Sequence, residues 1–329
     1  MRMKQGRAIL GILLAAALLS GCDGANNSSV METQPPTETR PAATEPKDKV
    51  FTVEPNAIEG LVSVEKMIPL KDKYLMVGLN EYDGRAVVLY NADTNTAEKK
   101  TLNRLSEIGD FLTIVPNHAD QIYILYGDEN GSGKYVELYD STMALLEEWE
   151  ISEFVKEPLD YATMQVDGAG NHYFLGWNEA GNHEVWIYDK EMQLLGHVGG
   201  EMTIGDELIP AADGKMYLIY HVGVKESRFA CVDPEALSIN DIPAANIPIY
   251  HNSTVAGTNG YDFYFNAQEA LYGIHAAEGT CDVIIDWAST MFDGKDIRGV
   301  FALPNENYLV SNVGGKVMDA GTWKMVLKD

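Results

Sequence analysis

Few residues of this 329-residue chain stand at spacings that do chemistry. The strongest metal candidate is Asp128-Glu129-Asn130-Gly131-Ser132-Gly133. It follows the Asp-x-Asn-x-Ser-Gly order of a calcium loop, where alternate oxygens face a hard cation and glycine permits the sharp turn. At the twelfth position, where a glutamate should close the shell, stands Tyr139. A solvated hairpin turn is therefore expected, and calcium is the one cofactor the chain suggests at all. The seven histidines (His118, His172, His183, His197, His221, His251 and His275) form no His-x-His and no His-Glu-x-x-His, and none has a cysteine at zinc spacing. They are expected at solvated turns and strand ends. No nucleophile elbow, phosphate loop or dinucleotide glycine pattern occurs. The chain reads as a non-catalytic protein.

The elements that must carry these residues repeat. Short apolar runs with an aromatic recur at Tyr74, Tyr123, Tyr173, Tyr217, Tyr264 and Tyr308, at intervals of 49, 50, 44, 47 and 44. A turn of Asp, Asn, Gly or Lys precedes each run, as in Asp167-Gly168-Ala169-Gly170-Asn171 and Asp213-Gly214. A second series keeps the same period: Val87 to Asn91, Val136 to Asp140, Val185 to Asp189, then the weaker Phe229 to Asp233 and Leu271 to Ile274. The second repeat resolves into four strands, Phe111 to Val115, Gln121 to Tyr126, Tyr135 to Tyr139 and Leu145 to Ile151, on β-branched and aromatic enrichment. Met143 to Phe154 has helical composition, but its counterpart Gln193 to Val198 is too short and glycine-containing for a helix. It is read as a strand followed by one helical turn. Four strands in a period of about 46 residues make one blade of a β-propeller, and six blades fit the chain. The fold class is all-β, a six-bladed β-propeller. Val50 to Val53 is placed to pair near Trp323 to Leu327 and close the circle.

In such a ring, the innermost strands of several blades gather polar groups around the axis. Glu65, Asn117, Asp167, Asn252 and Arg298 fall near those strands. They are the residues from which the alternative reading, a propeller hydrolase or lactonase with a central divalent metal, would build its site. Of Trp149, Trp177, Trp186, Trp287 and Trp323, most lie within strands and should fill the packing between blades. Trp177, beside the loop Asn178 to His183, is the one expected at the surface. Cys231 and Cys281 fall in different blades on strands of different rank, so two buried free thiols are favoured over a bridge.

The N-terminus addresses the chain. Arg2, Lys4 and Arg7 precede an apolar run from Ala8 to Leu19, too short to span a bilayer as a helix. Leu19-Ser20-Gly21-Cys22 resembles the lipobox of bacterial lipoproteins, which implies cleavage before Cys22 and a diacylglyceryl group on its thiol. Residues 1–21 are then a signal peptide, and two acyl chains would anchor the remainder at the extracytoplasmic face of the cell membrane. Residues 22–49 form a linker. Its segment Thr33 to Pro46 holds four prolines and four threonines with little to bury, so it should stay extended and disordered, reaching about 80 Å at most. The propeller occupies 50–329. The chain carries 24 basic and 49 acidic residues, a net charge of −25; losing Arg2, Lys4 and Arg7 takes it to −28. That balance argues against nucleic acid as a partner. A monomer is expected, with a glycan, peptide or protein as ligand.

Asp286-Trp287-Ala288-Ser289-Thr290, Asp293-Gly294-Lys295-Asp296-Ile297, Leu303-Pro304-Asn305 and the Tyr-Asp turns resemble N-terminal propeller-like segments of some Gram-positive lipoproteins. In those chains the segment precedes the extracellular solute-binding domain of an ABC importer. The resemblance covers residues 50–329 and implies a surface-displayed binding or scaffolding ring, accessory to a solute uptake system. The chain departs from that pattern, since after its last strand it leaves no room for a two-lobed solute-binding domain. In a cell with an outer membrane, Asp23 after the lipidated cysteine resembles the signal for inner-membrane retention.

Overall fold

The computed structural model describes residues 49–81, 84–104, 111–117, 120–127, 133–153, 155–157, 159–223, 226–244, 246–293, 295, 297, 299–312 and 321–328. Cys22, His118, Asp128 to Ser132 and Arg298 lie outside them. The described residues all belong to one unit, Arg40–Asp329.

Among the described residues, twenty-four strands form six four-stranded antiparallel sheets. After β1 (Phe51–Pro55), blade 1 is β2 (Ser63–Pro69), β3 (Tyr74–Leu79), β4 (Arg85–Asn91) and β5 (Thr96–Lys100). Blade 2 is β6 (Thr113–Asn117), β7 (Gln121–Gly127), β8 (Gly133–Tyr139) and β9 (Leu145–Glu150); blade 3 is β10 (Leu159–Val166), β11 (His172–Trp177), β12 (His183–Tyr188) and β13 (Leu194–Val198). Blade 4 is β14 (Ile204–Pro210), β15 (Met216–Val222), β16 (Glu226–Asp233) and β17 (Ser238–Ile242); blade 5 is β18 (Ser253–Ala256), β19 (Phe263–Asn266), β20 (Ala270–His275) and β21 (Thr280–Asp286). Blade 6 is β22 (Gly299–Leu303), β23 (Asn307–Asn312) and β24 (Gly321–Leu327), completed at its outer edge by β1. The expected six-bladed propeller is what forms. Within Met143 to Phe154, the described residues 143–153 hold β9 and a single 3-10 turn at Ile151–Glu153, so register overrides local propensity there.

Each sheet is apolar on both faces because a neighbour covers each. Six apolar clusters stand one at each junction, including Leu75 with Ile122 between blades 1 and 2, and Met76 with Leu309 between blades 6 and 1. This distribution closes the ring. At the closure, Phe51 pairs with Leu327, Val53 with Met325 and Pro55 with Trp323. The last repeat therefore supplies only three strands of its own, and the anticipated N-terminal strand is its fourth.

The Tyr-Asp dipeptides end third strands for a local reason. Asp140 Oδ1 accepts the N–H groups of Thr142 and Ala144 at 2.8 and 2.9 Å, and Asp189 Oδ1 those of Glu191 and Gln193 at 3.0 and 2.8 Å. The aspartates brace turns in which Met143 and Met192 take φ of 66° and 61°.

Among the described residues, Cys231 and Cys281 form no disulfide. Cys281 is buried, with its thiol against the Asn246 carbonyl, whereas Cys231 is half-buried and burial pushes its thiol pKa up. Trp177 is exposed as expected, and Trp287 is fully packed. Two histidines depart from expectation. His172 is buried against the Asp189 carbonyl and the Tyr123 ring, and the His251 ring is enclosed beside Glu207.

Candidate functional site

Alternating strand direction gives the ring two faces. Turns joining first to second and third to fourth strands lie on one; turns joining second to third strands, and the connections between blades, lie on the other. The candidate site is on this second face.

It is built where the innermost strands begin. Lys66 pairs with Val77 and Glu207 with Ile219, each two residues before the strand's pairing with Leu75 or Tyr217. Lys66 and Glu207 thus hold equivalent ranks in blades 1 and 4, three blades apart. In both strands the ladder shifts register immediately before them, between Val64 and Lys66 and between Gly205 and Glu207. A bulge of this kind re-aims the next side chain without shifting the apolar positions beyond it. Thr113, Ser253 and Gly299 occupy the same rank in blades 2, 5 and 6.

Along the axis runs a cavity of about 200 Å³ lined from all six innermost strands, including Lys66, Glu207, Ser253 and Phe301. The Lys66 ammonium donates to the Ile114 carbonyl of blade 2. Burial pushes its pKa down to about 8, with the Glu207 carboxylate pulling the other way. Glu207 Oε2 in turn meets His251 Nε2 at 3.0 Å. The imidazole is held on every side: Nδ1–H donates to the Ile249 carbonyl at 2.9 Å, Nε2 meets Thr254 Oγ1 at 2.9 Å, and the ring stacks on Phe265 at 3.9 Å. The Ser253 hydroxyl is buried and has no hydrogen-bond partner.

A cavity that narrow is below the size of ordinary ligand pockets. The room lies at its mouth. A cleft of about 580 Å³ includes Asp206, Tyr250, Asn252, Gln268 and Glu269, and a second of about 650 Å³ shares Asn252, Gln268 and Glu269 and runs on to Asp286, Asp293 and Lys295. Tyr250 and Asn252, which flank the anchored His251 in sequence, are both exposed and line the cleft. Tyr250 is 78% exposed, the most exposed large apolar side chain among the described residues.

Of the five polar residues that the enzyme reading would use, Arg298 lies outside the described residues, and the other four are not gathered at one site. Glu65 reaches the axial cavity and faces Arg85 at 3.4 Å, and Asn252 lines the mouth. Asn117 ends β6 on the opposite face, beside Gln121 and Tyr123. Asp167 also stands on that face, where it accepts from the N–H groups of Ala169 and Asn171, the Asn171 amide and the Tyr173 hydroxyl. Those four bonds make it a turn brace. A separate cleft of about 720 Å³ on that face includes Trp149, but this ring packs edge-on against Tyr123 as part of the blade 2–3 junction.

Sequence reasoning missed Lys66, Glu207, His251 and Tyr250. One signal was available: Lys66-Met67-Ile68-Pro69 and Glu207-Leu208-Ile209-Pro210 share a charged residue, two large apolar residues and proline at the same place in their repeats.

No protein-family model matches this chain, and no curated protein does. Among solved structures it is similar to TolB from Acinetobacter baumannii, at 14% identity and a TM-score of 0.43, over 64% of this chain and 50% of that one. It is similar to the β-propeller domain of the trilobed protease from Pyrococcus furiosus, at 8% identity and 0.41, over 81% and 82%. It is also similar to the WD40 domain of SCAP from fission yeast, at 11% identity and 0.38, over 79% and 65%. The chain spans half the length of the TolB it matches. Likeness this distant carries nothing about function.

Proposed function

We propose that the chain is a lipid-anchored, extracytoplasmic binding protein that takes its ligand at the mouth of the ring without transforming it. The accessory role in solute uptake, implied by the lipoprotein resemblance, belongs to the same reading. One observation carries it. As the outermost strand of blade 6, β1 starts beside Leu327, on the face opposite the cleft. The chain therefore enters the ring at Phe51 on the side away from Tyr250, so a tether from Cys22 need not cross the mouth.

Replacing Cys22 tests the anchor. Wild-type protein expressed in a bacterial host should incorporate radiolabelled palmitate and sediment with membranes. Cys22→Ala should lose the label and appear in the soluble fraction with an unchanged melting temperature. An unlabelled wild type, or a variant that still sediments, would overturn the anchored reading.

A further inference from the structure

We propose that the mouth cleft is a glycan-binding site for neutral or amino sugars, with Tyr250 as its stacking platform. This rests on the reading above that the mouth is the ligand face.

Tyr250 is exposed but not loose. Its hydroxyl shares a 3.0 Å hydrogen bond with Ser227 Oγ, which is itself 3.0 Å from His221 Nδ1. The phenol end is thus tethered to blade 4, while the backbone at the other end is held by the His251 contacts. A ring fixed at both ends presents its face to solvent in one orientation. The electron-rich face of an aromatic ring suits the polarised C–H face of a sugar, and a pre-oriented platform loses little entropy on binding.

A sugar also presents a rim of hydroxyl groups that both donate and accept. The cleft answers with groups of both kinds: the exposed amides of Asn252 and Gln268, the carboxylates of Asp206 and Glu269, and at its floor the buried, unpartnered Ser253 hydroxyl. Amides and carboxylates can engage adjacent hydroxyls in pairs. An unsatisfied buried hydroxyl is costly in the empty protein, and a sugar hydroxyl reaching the floor would relieve that cost.

Charge narrows the class. Asp206, Glu207, Glu269, Asp286 and Asp293 border the joined clefts, against Lys295 on the same side and Lys66 at the axis. Uronates and phosphate-bearing polymers would be repelled. The two clefts meet at Asn252, Gln268 and Glu269, so the surface is long enough for several residues of a linear oligosaccharide.

The test is calorimetric titration of the lipid-free chain with three hexasaccharides: a β-1,4-glucan, a chitosan oligomer and a polygalacturonate. A pool of random peptides is the fourth probe. The wild type should bind the glucan or the chitosan hexamer but not the polygalacturonate. Tyr250→Ala should weaken that binding by about tenfold or more while the unfolding midpoint stays where it was. The proposal fails if neither neutral nor amino hexamer binds, if the anionic one binds best, or if Tyr250→Ala binds like wild type. Peptide binding that Tyr250→Ala abolishes would sink the glycan assignment and keep the mouth as ligand face. A ligand insensitive to Tyr250→Ala and Asn252→Ala alike would remove both.

Discussion

Lys66 occupies a position that is unfavourable for its charge. Its pKa falls from 10.5 to about 8 because burial penalises the ammonium, and Glu207 offsets only part of that. Between those two values the unfolded chain binds a proton that the folded one does not, so stability attributable to this site rises with pH across that window. At pH 7.5 the cost of holding the charge is present in full. Lys66→Met should therefore be more stable than wild type at pH 7.5 by about 2 kcal/mol, with the difference shrinking to about a quarter of that by pH 10. Urea unfolding of both proteins at both pH values checks this; a pH-independent difference would show that the ammonium is not the cause. Glu137 is the other buried charge of note. It accepts from the hydroxyls of Tyr126 and Tyr139 at 2.8 and 2.7 Å, and Arg104 lies 3.9 Å away with its guanidinium over the Tyr135 ring. Neither cluster was legible residue by residue. The partners of His251 and Lys66 lie 44 and 48 positions away, in an adjacent blade.

Strands and turns were far more legible, because their rules are local. The four strands of blade 2 form within two residues of the sequence reading, and the aspartates that end the third strands brace their turns by hydrogen bonds spanning two to four residues. The tyrosine series is the instructive exception. Tyr123, Tyr173, Tyr217 and Tyr264 pack toward the following blade, whereas Tyr74 and Tyr308 pack toward the preceding one. In blades 1 and 6 the equivalent positions are Leu75 and Leu309. Both faces of a blade are apolar, so hydropathy does not distinguish a phase slip of one residue. The closing strand is a further case where element and partner are remote. Phe51 and Val53 pack against the blade 5–6 cluster. A chain that begins at Asn56 should lose this packing and expose the edge of β24, lowering the melting temperature by about 10 °C and promoting aggregation. Scanning calorimetry with light scattering measures both, and an unchanged midpoint would show that β1 is not needed to hold the ring.

On the scale of the molecule, every blade relies on its neighbours for the burial of two faces, and closure leaves no terminal blade to fray. A solenoid with free ends can unfold from them; this ring has none. It should melt in one transition, with a calorimetric to van 't Hoff enthalpy ratio of about 1. A ratio near 2 or above would mean that groups of blades unfold independently. The proposed anchor and the ligand face also belong to this scale. The strand that follows the linker closes the ring from one face, and the clefts open on the other, which separates attachment from recognition by the thickness of a blade.

The sequence alone determined the number of blades, the four-stranded pattern of the first five, a pairing of residues 50–53 with the last strand, and the expectation of an extracytoplasmic address. Each depends on a period, a turn or a composition that can be read within one repeat or between equivalent repeats. That the strand at 50–53 replaces a missing fourth strand of the last repeat came from the structure. Tertiary structure decided which side chains meet at the axis and the mouth, because Lys66, Glu207 and His251 find their partners across blade junctions that form only when the blades pack. It also moved Asp167 and Asn117 to the opposite face, since strand direction, and not distance along the chain, determines on which side of the ring a residue emerges.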